Sequence, residues 1–114
     1  MLQGLKSRGA KNTAESILTP TMRENDSSAG AVGERIKLLR DSLGLSQTEF
    51  AAGAGLVRAA VATWERGAQR PGIALAQKIT DRYGVTLDWL FLGRTHTLRH
   101  DMIGLLSDKE AAQD

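Results

Sequence analysis

The sequence predicts an all-α domain of five small helices, and a few observations carry that prediction. Apolar residues recur three and four apart in successive short windows, the spacing of one helix face. Capping residues and glycines punctuate these windows. Hydrophobic residues make up 41% of the 114 residues and aromatics only 4%. The core is therefore aliphatic and alanine-rich, which suits small helices that pack closely.

Residues 1–30 are polar and dotted with glycine and serine, with Lys6, Arg8 and Lys11 early. Thr13 caps a helical turn over 13–18, which Pro20 cuts short. Residues 25–30 read as a linker. This segment is expected to be a flexible N-terminal arm.

The domain itself is expected over residues 31–93. Val32, Ile36, Leu39 and Leu43 form the apolar side of a first helix, which Gly44 stops. Leu38 lies off that stripe and is expected to be partly exposed. Ser46 and Glu49 form a capping box that starts a second helix. Phe50 and Ala51 give it an apolar side, and Gly53 and Gly55 are expected to break it.

A third helix resumes around Val57 or Arg58 and ends at Gly67. Val61 and Trp64 stand on its inner face. Its outer face holds Arg58, Ala59, Ala62, Thr63 and Arg66: small, polar or basic, with no acid among them. Ile73, Ala76, Ile79 and Tyr83 form the stripe of a fourth helix, ended by Gly84. Thr86 caps a fifth over 87–93, with Trp89 and Leu90 in the core. Base stacking is the sharper reading for Trp64 or Trp89, but tryptophan at core spacing is expected to be buried.

Residues 94–114 form a C-terminal tail. Leu98, Met102 and Leu105 are at helical spacing, with Ile103 and Leu106 beside them. A short amphipathic helix there would dock on its own domain or on a partner.

Other chemistry finds little support. The chain has no cysteine, which excludes disulfides and cysteine-based zinc sites. His96 and His100 are four apart with Asp101 adjacent, but no third ligand stands at fixed spacing, so no metal is expected. No nucleophile–base pair and no phosphate-binding glycine loop appears, so neither an enzyme nor a cofactor is expected. No apolar run is long enough to span a membrane, and a soluble, cytoplasmic protein is expected. The net charge of +2 permits nucleic-acid binding without demonstrating it.

Ser46, Gln47, Phe50, Ala51, Gly55, Val61, Trp64, Glu65, Arg66 and Gly67 are spaced as in the lambda-repressor-like (Xre/Cro type) helix-turn-helix family, which this sequence resembles. The resemblance runs from about Gly33 to Gly93, with Arg40 before the motif and Pro71, Tyr83, Gly84, Val85, Asp88, Trp89 and Leu90 after it. It implies a five-helix DNA-binding domain whose third helix enters the major groove.

Residue roles follow from that resemblance. Arg40 pairs with Glu65, which holds the carboxylate away from phosphate. Gln47, at a helix N-terminus, holds a phosphate and braces a base contact, with Thr48 a weaker candidate of the same kind. Arg58, Ala59 and Thr63 match positions that face base edges. Ala59 and Ala62 are equally readable as good helix formers. Arg66 and Arg70 are expected on backbone phosphate. The family's usual serine or threonine cap is Val57 here, and Ala59, Ala60 and Ala62 offer no hydrogen bonds, so direct readout is thin.

Leu87, Phe91 and Leu92 are implied at a two-fold dimer contact, which would set two reading helices on a palindromic operator. Their other reading is packing against the tail. For residues 1–30, a basic arm wrapped on DNA and a leader without a role both stay open. The expected function is a sequence-specific transcriptional regulator, a repressor or phage- or plasmid-type switch, binding double-stranded DNA as a homodimer. The alternative is an antitoxin-like interaction module that holds a protein partner through its C-terminal tail and uses DNA for autoregulation.

Overall fold

The computed structural model describes residues 24–112 of the chain. Among them are six helices and no strand: α1 Ala29–Ser42, α2 Gln47–Ala54, α3 Arg58–Glu65, α4 Ile73–Tyr83, α5 Leu87–Leu92 and α6 His100–Ala112. The implied five-helix domain is α1 to α5, and α6 is the helix in the tail. The arm's basic cluster and its capped turn at 13–18 lie outside the described residues.

α1 begins at Ala29, two residues inside the stretch expected to be linker. The reason is local: the Ser28 hydroxyl accepts from the Ala31 amide and caps the helix. The lead-in is pinned as well. Asn25 takes a left-handed backbone (φ 66°) and donates to the Leu92 carbonyl at 2.7 Å, while Arg94 donates to its side-chain oxygen at 2.7 Å.

α1 is the central element and packs on α3, α5 and α6. A helix covered on several sides needs more than one apolar stripe. That explains Leu38, which is buried along with Val32, Ile36 and Leu39 rather than partly exposed. Arg35 is fully buried too, and its guanidinium donates to the Leu90 carbonyl at 3.2 Å, tying α1 to α5. Desolvation lowers its pKa, and nearby Asp26 partly opposes that.

Gly33 lets α1 and α3 approach closely. A Cβ there would run into the Trp64 carbonyl oxygen, and would sit 3.3 Å from the Glu65 Cα. Gly53 has a related task. It lies inside α2 instead of breaking it, because a side chain there would collide with the Tyr83 hydroxyl. Gly55 alone makes the stop, in the left-handed conformation (φ 72°).

Phe50 and Tyr83 stack with ring centroids 4.5 Å apart, and the Tyr83 hydroxyl donates to the Phe50 carbonyl at 2.7 Å. Burial pushes that phenol above its ordinary pKa. Together these contacts fasten α2 to α4. Ile73, expected on the α4 stripe, is exposed: it is the first helical residue, and the buried positions of α4 are Ala76 and Ile79.

Trp64 and Trp89 are both buried, which removes them as base-stacking platforms. Each such ring contributes roughly 2–3 kcal/mol by leaving water. Leu98, Met102 and Leu106 join the same core, so the apolar side of the C-terminal segment is used within the chain. Among the described residues, no helix is long and apolar enough to cross a membrane.

Candidate nucleic-acid interface

Ser46 starts the site. Its hydroxyl accepts from the Glu49 amide at 3.1 Å, and the Glu49 carboxylate accepts from the Ser46 amide at 2.9 Å. The Ser46 amide, and after it the Ser46 side chain, hold the Glu49 carboxyl below its ordinary pKa. The two bonds fix the first turn of α2, where Gln47 and Thr48 stand with amides that precede the first intrahelical bond. Thr48 is exposed and Gln47 half-buried.

The turn at Gly55 then swings the chain into α3. Val61 and Trp64 of α3 face the core, while Arg58, Ala59 and Arg66 are exposed and Ala62 and Thr63 half-exposed. This split follows from helical spacing alone. Thr63 donates its hydroxyl back to the Ala59 carbonyl at 2.9 Å, and Arg66 reaches Thr63 at 3.4 Å.

Glu65 is the only acid of α3, and its side chain is 6% exposed. Arg40 grips it with two bonds, Nε to Oε2 at 2.7 Å and Nη2 to Oε1 at 2.9 Å. Arg40 also donates to the Leu45 carbonyl at 2.9 Å. The bond to Glu65 raises the pKa of Arg40, against desolvation. Two charges are thereby cancelled just beneath the exposed surface, leaving Arg58 at the start of α3 and Arg66 at its C-cap as the charges that face solvent.

The network continues outward. Gln47 Nε2 donates to Glu65 Oε1 at 3.0 Å, and Gln47 Oε1 accepts from Arg58 Nη1 at 3.2 Å. Arg40, Glu65, Gln47 and Arg58 thus form one chain of hydrogen bonds from α1 to the start of α3. Each member holds the next, so Arg58 is oriented before any ligand arrives. One guanidinium donor is used in this way, and among the described residues the others are left for a ligand.

Other residues singled out in the sequence lie elsewhere in this scheme. Arg70 donates to the Ser27 carbonyl at 3.0 Å and lies 6.0 Å from the Phe91 ring centre, so it braces the lead-in to α1. Leu87 and Phe91 are half-buried and pack against the core edge. Leu92 is half-buried, and its carbonyl is the one that Asn25 holds. His96 and His100 are exposed, and among the described residues no three His, Cys, Asp or Glu side chains converge on one point. Val57, which in the sequence marks only a missing cap, has 68% of its surface exposed beside Arg58. Its signal in the sequence was an apolar residue at a cap position.

A helix-turn-helix family model matches residues 36–90. The chain is also 35% identical, over 78 residues, to the SPbeta prophage-derived uncharacterized HTH-type transcriptional regulator YonR of Bacillus subtilis (strain 168). That match covers 68% of this chain and 70% of the relative. No solved structure matches.

Proposed function

From a chain that belongs to the lambda-repressor-like (Xre type) helix-turn-helix family, we propose a sequence-specific DNA-binding transcriptional regulator that acts as a repressor. It works by occupying an operator and performs no chemistry. The observation that carries this reading is the outer face of α3: basic and small side chains, with the only acid of the helix turned inward and held by Arg40. A duplex presents closely spaced phosphates, and an uncompensated carboxylate there would repel them.

In this reading α3 enters the major groove. Arg58 forks onto a guanine edge, while Ala59, Ala62 and Thr63 pass close to the bases. Gln47 and Thr48 hold a phosphate at the α2 N-terminus, and Arg66 takes another. Two copies pair through the edge formed by Leu87, Phe91 and Leu92. Their reading helices then fall about 34 Å apart, one DNA turn, on a palindrome.

Selection of bound duplexes from a random pool tests this. The expected result is a palindromic sequence whose affinity falls steeply with salt. Absence of enrichment at moderate salt would refute the reading. A selected site without two-fold symmetry would refute the dimer.

A further inference from the structure

We propose that Val57 is a specificity residue, which docks on the 5-methyl group of a pyrimidine next to the guanine taken by Arg58. This rests on the DNA-binding reading above and names what the same face recognises. Val57 is the N-cap of α3, and its side chain makes no cap hydrogen bond. Serine, threonine, asparagine or aspartate is the stabilising choice at such a position. The backbone here is extended (φ −97°, ψ 145°), which suits β-branched residues. Threonine would satisfy that preference and cap the helix as well. What valine adds over threonine is a second methyl group in place of the hydroxyl.

That methyl surface is not spent on the fold. Val57 is 68% exposed, more than Ile73 or Leu75, the other exposed large apolar side chains among the described residues. Its immediate neighbour is Arg58, held by Gln47. Further along the exposed face stand the methyl groups of Ala59 and Ala62, and Thr63 has its proton committed to the Ala59 carbonyl. The surface therefore offers one oriented cationic fork amid apolar groups. In the major groove the matching apolar feature is the methyl of thymine, or of 5-methylcytosine. A guanine beside a 5-methylpyrimidine is the base step that this pair of side chains fits.

The experiment uses the full chain and the duplex it selects. Each thymine in a half-site is replaced in turn by deoxyuridine, which lacks only the methyl, and affinity is measured by fluorescence anisotropy. Wild type is expected to lose roughly fourfold at one thymine beside the contacted guanine, the worth of one buried methyl. Val57→Ser restores a cap, and melting curves verify that it folds. It is expected to bind thymine and deoxyuridine equally at that position. Sequence-specific binding with no thymine-to-deoxyuridine difference beside the guanine, or an unchanged difference in Val57→Ser, overturns this proposal and leaves DNA binding standing. Failure to select any sequence overturns both.

Discussion

Replacing Gly33 by alanine sets two effects of opposite sign against each other. Gly33 lies within α1, and in a helix interior alanine is better than glycine by about 1 kcal/mol. Propensity alone therefore predicts a more stable protein. The contact with α3 predicts the reverse. The added Cβ would meet the Trp64 carbonyl oxygen, with the carbonyl carbon at 3.1 Å and the Glu65 Cα at 3.3 Å. All three are backbone atoms of a helix, so no side chain can rotate away and α1 and α3 must separate.

Overpacking costs about 1–3 kcal/mol, and a backbone obstacle belongs at the upper end. Subtracting the gain in propensity leaves a net loss of roughly 2 kcal/mol. For a domain of this size that lowers Tm by about 8–16 °C. Gly30→Ala is the internal control, since Gly30 stands in the same helix and a Cβ there meets nothing within 4 Å. Thermal unfolding followed by far-UV circular dichroism reads both variants. A Gly33→Ala protein that melts at or above the wild-type temperature would refute the dominance of the backbone contact over helix propensity. Because Trp64 and Glu65 move with α3, the variant is also expected to weaken binding to DNA.

Arg40→Leu leaves the Glu65 carboxylate buried with only Gln47 beside it, and is expected to cost about 3 kcal/mol and to weaken DNA binding; urea unfolding with m unchanged checks it, and unaltered stability would contradict the pairing. The folded pKa of Glu49 is lowered by its bonds to Ser46, so its contribution is complete above the ordinary carboxylate pKa. That contribution fades as pH falls through the depressed folded value. The Tm difference between wild type and Glu49→Gln should therefore shrink on acidification, and a difference that widened would reverse the assignment. Arg66→Ala is expected to flatten the plot of log affinity against log salt by about one unit and to leave the preference for the selected sequence intact. Arg58→Ala should instead reduce that preference, relaxing the choice at the contacted guanine.

Much of this protein was legible in its sequence because the relevant forces act over three or four residues. The Ser46–Glu49 box, the stop at Gly55 and the inner face of Val61 and Trp64 are local matters of capping, backbone freedom and helical period. The acid-poor outer face of α3 follows from the same period. Tertiary structure decided the remainder, because it depends on which elements meet. Leu38 is buried because α1 is covered on several sides, and Gly53 stays helical because what it provides is room for the Tyr83 hydroxyl. The bonds that orient Arg58 join residues 11, 18 and 25 positions apart. Arg70 turned to Ser27, 43 positions away, for the same reason: a long cation takes the carbonyl that folding brings within reach, and no local pattern announces which one that is.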